Sequence, residues 1–159
     1  MRWIWIYKFI EFESGKRAVA IKNLTLAEEH LHDLYPGFPI MPASLIIEGM
    51  AQTAGILVGE ARNFEEKVIL AKVRLAKFNG FARPGQQLRY EAQIETLTNE
   101  AAQISGIVFC DGQELGHVDL MFSHIDQNMS GRNFPKENFV FTEDFKSLLR
   151  MFSSDAKKD

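Results

Sequence analysis

A carboxylate set into an apolar helix is the first feature of this sequence that could do chemistry. Residues 44–61 carry no proline, and within them Ser44, Glu48 and Gln52 are spaced by four, so they lie one above another in a narrow polar stripe. Leu45, Ile46, Ile47, Met50, Ala51, Ala54, Ile56 and Leu57 cover almost all the remaining circumference, the pattern of a helix wrapped by other structure. Glu48 is therefore expected to be buried, partly protonated near neutral pH and able to act as a general acid. The alternative is an ionised Glu48 hydrogen-bonded to Gln52 or to a loop amide for structural reasons.

His30 and His32 are the candidate proton acceptors. Residues spaced by two face the same way only on an extended strand, and no third ligand accompanies them, so they read as a base or as solvated loop histidines rather than as a metal pair. No metal and no cofactor is expected. Ser44 lacks a Gly-x-Ser-x-Gly elbow and is not read as a nucleophile, while His117, His124 and Cys110 read as packing or surface residues.

The elements that position these groups follow from the pattern. Aromatic and β-branched residues at 3–12, a Ser14-Gly15 turn and a second run at 17–21 predict two strands. A short, weakly helical piece at 27–32 leads into a loop where Pro36, Pro39 and Pro42 forbid a regular helix or central strand. Pro42 sits where a helix start tolerates proline, so 44–61 follows as the central helix. Four more strands are predicted at 67–78, 87–96, 101–110 and 114–123, and Asp111-Gly112 between two of them is a type I′ hairpin signal. Strands in series with short connections make an antiparallel sheet, hence an α+β fold in which the sheet curls around the helix. The domain is expected to span 1–125, followed over 126–159 by a linker, a short amphipathic helix capped by Thr142, and a disordered tail.

Composition narrows the function. A chain of 159 residues buries roughly two thirds of its unfolded surface, so a core needs no disulfide or metal staple. Eighteen Lys and Arg against twenty-one Asp and Glu, with no basic block, remove the footprint of a nucleic-acid binder. The most apolar stretch, 40–58, contains Glu48 and Gln52 and falls short of the about 20 apolar residues a membrane span needs, so no membrane insertion is expected. Lys8, Glu11 and Glu13 interrupt the apolar N-terminus too early for a secretory segment, and Cys110 is alone; both point to the cytoplasm.

Lys22-Asn23-Leu24-Thr25, then Tyr35-Pro36-Gly37-Phe38-Pro39-Ile40-Met41-Pro42, then Leu45-Ile46-Ile47-Glu48-Gly49-Met50-Ala51-Gln52 closely resemble the bacterial 3-hydroxyacyl-ACP dehydratases of the hot-dog fold. The resemblance extends over about residues 3–125, including Gly15-Lys16-Arg17, 72–78 with Arg83-Pro84-Gly85-Gln86-Gln87-Leu88, and the Asp111-Gly112 turn. It implies reversible loss of water from a 3-hydroxyacyl thioester in fatty acid biosynthesis, with acyl-ACP or acyl-CoA as substrate and a homodimer or higher homo-oligomer as the assembly. It also implies that Glu48 handles the departing hydroxyl, and that Gly37, Phe38, Pro42, Ala43 and Gln52 line the substrate site, where loop and helix amides polarise the thioester carbonyl. Two positions depart from the family. Its loop histidine, which takes the C2 proton, falls on Leu34, and its glycine after Met-Pro is Ala43. The resemblance therefore leaves His32, two positions early, as the stand-in base. Hydrolysis of an acyl thioester, or a non-catalytic acyl-binding or partner subunit, are the alternatives.

Overall fold

The computed structural model describes residues 4–128, 131, 135–138, 140–143 and 146–147. Its elements are β1 (Lys8–Glu13), β2 (Arg17–Asn23), one turn of helix α1 (His30–Asp33), the long helix α2 (Ala43–Glu60), β3 (Val68–Phe78), β4 (Gln87–Leu97), β5 (Ala101–Cys110), β6 (Gln113–His124) and α3 (Ile125–Asn128). The order is the expected one. Asp111 and Gly112 take φ of 48° and 80°, as a type I′ hairpin turn requires.

The strands form one antiparallel sheet in the order β1-β2-β4-β5-β6-β3. Irregularities at Phe9/Glu11 in β1 and at Leu70/Lys72 and Val73/Leu75 in β3 bend its two outer strands. Alternate residues point inward: Leu88, Tyr90 and Ala92 from β4, Ile104 and Val108 from β5, and Val118, Leu120 and Phe122 from β6 are buried. They share one core with Met50, Ala54, Leu57 and Val58 of α2, so the sheet wraps the helix and gives the α+β hot-dog arrangement. Contact is closest at Gly49, where a Cβ would fall 2.4 Å from the Tyr90 hydroxyl oxygen. Only glycine lets the helix lie against β4 at that point.

Two expectations are corrected. The first strand begins at Lys8, not at residue 3. Tyr7 still donates its N–H to the Ile21 carbonyl at 2.7 Å, but the chain then leaves the sheet, because the Trp5 N–H is taken by Gln52 Oε1 at 2.8 Å and the Trp5 side chain is buried. Glu48 is exposed rather than buried, since the sheet covers α2 from Gly49 to Gly59 and leaves much of its first two turns open. His30 and His32 fall at the helical turn α1, in keeping with the weakly helical reading of 27–32, so they do not face the same way. Where a linker is expected the described residues include α3 (Ile125–Asn128) and Asn138, which bonds back to the α2–β3 connection. Lys146 donates its N–H to the Thr142 carbonyl at 2.9 Å, in keeping with a helix starting there; Phe145, Leu148, Leu149, Phe152 and the tail from 153 lie outside the described residues.

Candidate functional site

The loop before α2 is rigid for identifiable reasons. The Phe38 N–H bonds the Tyr35 carbonyl at 2.9 Å, closing a turn with Pro36 and Gly37 at its centre. Gly37 has φ of 75°, the positive value a type II turn needs after proline. Further along, the Met41 N–H bonds the Ala82 carbonyl at 2.8 Å, and the Phe38 ring meets Phe81 edge-on at 5.5 Å with the Arg83 guanidinium over it at 5.3 Å. Pro42, with ψ of 143°, then turns the chain into α2. No side chain caps that helix, so the amides of Ala43 and Ser44 keep their orphan donor character.

Two turns into α2, Gln52 holds Glu48 in place. Gln52 Nε2 donates to Glu48 Oε1 at 3.0 Å, while Gln52 Oε1 accepts the Trp5 N–H, so the amide orientation is set from both ends. Glu48 Oε2 has no partner among the described residues and is open to an incoming group. Beside this pair runs a cleft of about 420 Å³, walled by Glu48, Ala51, Gln52, Gly55 and Ile56 on one face of α2. Val68, Ile69 and Leu70 at the start of β3 form the facing wall, with Phe122 below. Ile4 closes in near Gln52, and Val140 and Phe141 stand at the other end. The arrangement is a carboxylate at the head of an apolar slot. Of the residues expected at the site, the cleft lining includes Glu48 and Gln52; Gly37, Phe38, Pro42 and Ala43 lie on the adjoining loop and helix start.

The histidines diverge. His32 is exposed, and its Nε2 lies against the Leu26 carbonyl oxygen, which can only accept, so this nitrogen donates and the lone pair is on Nδ1. His30 is half-buried, its ring edge-on to Trp5 at 5.2 Å between centroids, and its buried Nε2 has no hydrogen-bond partner among the described residues. Burial holds this imidazole below the ordinary histidine range, with Glu28 pulling upward and Lys22 pushing down. Those two belong to a buried ion pair: Lys22, 2% exposed, meets Glu28 Oε1 and lies 5.4 Å from the Trp5 ring. His30 thus joins the site through Trp5, whose backbone is bonded to Gln52. Leu34, where the resembled enzymes place their histidine, is 52% exposed and offers no acceptor.

Elsewhere the chemistry is structural. His117 Nε2 lies 3.0 Å from Glu114 Oε1 on the surface, and the buried His124 places Nδ1 2.7 Å from Glu66 Oε2. Burial pushes the Cys110 thiol up, away from nucleophilic use. Among the described residues no cluster of three or more His, Cys, Asp or Glu side chains could hold a metal, and no helix is long and apolar enough to cross a membrane. Sequence reasoning missed Trp5, Val140 and Phe141 as site residues. Their roles depend on contacts with residues far away in the chain, which no local pattern signals.

Comparison with known proteins places the chain. The 3-hydroxyacyl-[acyl-carrier-protein] dehydratase FabZ of Bacillus pumilus is 35% identical over 117 residues, covering 73% of this chain and 81% of that protein. Its counterpart from Caldanaerobacter subterraneus is 36% identical over 116 residues, covering 72% and 82%. Among solved structures, the dehydratase heterocomplex ApeI:P from Xenorhabdus doucetiae matches with a TM-score of 0.65 at 16% identity, over 80% of this chain and 90% of that one. A Streptococcus mutans protein, smu.793, solved with acetyl CoA, matches at 0.63 and 10% identity over 77% and 91%; both likenesses concern the fold alone. The family model for the FabA-like domain matches residues 6–118. With the loop, the helix carboxylate and the wrapped sheet in the same order, the chain belongs to the FabA-like family.

Proposed function

We propose that this protein is a 3-hydroxyacyl-[acyl-carrier-protein] dehydratase acting in fatty acid biosynthesis. The observation that carries the reading is the Glu48–Gln52 pair at the head of an apolar cleft, in a chain 35% identical to a FabZ dehydratase over 81% of that enzyme. In the reaction a base takes the C2 proton, the C2–H electrons become the C2=C3 bond, and the C3 hydroxyl leaves as water with a proton from Glu48. Gln52 fixes Glu48 through Oε1, leaving Oε2 to meet the hydroxyl. The uncapped first amides of α2 and the turn around Gly37 suit the developing negative charge on the thioester oxygen, with Phe38, Pro42 and Ala43 shaping the approach. Of the two histidines, His30 is the better base candidate: it is half-buried against Trp5, whose backbone is bonded to Gln52, and its Nε2 has no partner among the described residues, whereas His32 is exposed to solvent.

The enzyme works as a homodimer or larger homo-oligomer. β3 lies at the sheet edge with Leu70, Val73 and Leu75 exposed by 39%, 40% and 45%, an open strand suited to pairing with a second copy beside the cleft. A monomer by light scattering at micromolar concentration contradicts this. The substrate carrier is acyl carrier protein or coenzyme A, and the compartment is the cytoplasm.

A second reading, thioester hydrolysis by Glu48 and water, is favoured by Leu34, which replaces the expected imidazole with an apolar side chain. Incubating the protein with 3-hydroxyacyl and 2-enoyl thioesters while following enoyl absorbance and free thiol separates the two. Enoyl change without thiol is the expected result; thiol release without enoyl change selects hydrolysis.

A further inference from the structure

We infer that Val140 and Phe141, held by Asn138, form a built-in stop that limits how long an acyl chain the cleft accepts. The inference rests on the proposed acyl-thioester function and specifies its substrate class. Val140 and Phe141 stand at the end of the cleft opposite Gln52, and they lie beyond residues 6–118, the stretch the family model matches. They are firmly held. Asn138 Nδ2 donates to the carbonyls of Phe64 and Glu66 at 3.0 and 3.1 Å, and its Oδ1 accepts the N–H groups of Val140 and Phe141, both at 3.0 Å. One asparagine thus ties the segment to the α2–β3 connection by two bonds and orders Val140 and Phe141 by two more. The Phe141 ring, 5% exposed, packs on Phe64 at 5.1 Å and presses on the end of α2, where a Cβ on Gly59 would fall 2.6 Å from Phe141 Cζ.

The geometry sets a length. From Glu48 to Gly59 the helix advances about 16 Å at 1.5 Å per residue. An extended chain advances about 1.2 Å per bond, as a peptide does over its backbone bonds, so the stop leaves room for about 13 carbons beyond the reacting centre. A longer chain meets the Phe141 ring, which is wedged between Phe64 and Gly59 on a backbone that Asn138 holds in place.

The test measures binding, so that it does not depend on turnover: saturated acyl thioesters of pantetheine, in a ladder of increasing chain length, titrated calorimetrically into wild type, Phe141→Ala and Val140→Phe. In wild type the affinity rises about fourfold per added carbon, the value of a buried methylene, and stops rising at the length the stop permits. Phe141→Ala moves that break to longer chains. Should it fail to fold, Val140→Phe, which narrows the same end from a half-buried position, carries the test by moving the break to shorter chains. A break at the same length in the folded variants, or no break in wild type, overturns the stop while leaving the acyl-binding reading intact. If no member of the ladder binds wild type, the acyl cleft itself is wrong and the stop falls with it.

Discussion

The two ends of helix α2 differ in what they are built to do. At the N-terminal end Ala43, Ser44 and Glu48 are exposed, polar donors and acceptors are left open, and order comes from a turn and a glutamine clamp. Toward the C-terminal end, Gly55 to Gly59 are all buried, and Phe64 and Phe141 seal the helix against solvent. Reactive groups and packing density are thus separated along a single element. The open end keeps atoms available to a substrate, while the sealed end supplies the stability that lets the open end go uncapped. Substitutions of the exposed groups at the first end should therefore fail in turnover, and those at buried positions from Gly49 onward in folding.

The largest effect is expected at Glu48. Glu48→Gln keeps the shape and a partner for Gln52 but cannot donate the proton, so dehydration should fall by about 10²–10⁴-fold with an unchanged thermal melt. Unchanged turnover would reduce Glu48 to a structural role and erase the distinction between the two ends.

A pure packing effect is expected one residue on. Gly49→Ala forces a methyl to within 2.4 Å of the Tyr90 hydroxyl, and overpacking of this kind costs about 1–3 kcal/mol. Denaturant unfolding should show that loss, while activity per folded molecule is retained. Stability at or above wild type would mean that β4 yields easily to the helix.

The histidines sharpen the comparison at the open end. His30→Ala should lower kcat/KM by about 10²-fold or more if His30 takes the C2 proton, and His32→Ala should change little. The reverse pattern would return the role to His32. Leu34→His, which restores an imidazole where the resembled family carries one, should raise or rescue activity in the His30→Ala background.

The smallest effect is in pH dependence. Burial holds folded His30 below its ordinary value, so the unfolded chain binds that proton more readily and stability rises with pH across the interval just below about 6.5. Unfolding titrations between acid and neutral pH should show wild type losing stability on acidification, with a shallower slope in His30→Ala. Identical slopes would mean that the ring is solvated.

Much of this was legible in the sequence, and the exceptions share a cause. The strands, α2 and the hairpin at Asp111-Gly112 follow from period-two alternation and turn chemistry, which are local. The Glu48–Gln52 bond follows from four-residue spacing on a helix. The exposure of Glu48 does not, because an apolar circumference says that a helix is wrapped but not where the wrapping stops. The different surroundings of His30 and His32 were hidden for a related reason. On the helical turn α1 residues two apart point about 200° from one another, so one ring turns inward to Trp5 while the other meets solvent. Trp5 on Gln52 and Asn138 on Phe64 join residues 47 and 74 positions apart, and such contacts are written in no window of the chain.

The most direct test of the account is a single-turnover comparison of wild type and Glu48→Gln with a 3-hydroxyacyl thioester on acyl carrier protein, reading enoyl absorbance and free thiol together. The account predicts that wild type forms the enoyl thioester with no thiol released and that Glu48→Gln forms almost none. Equal enoyl formation by the two proteins, or thiol release without enoyl from wild type, would contradict it.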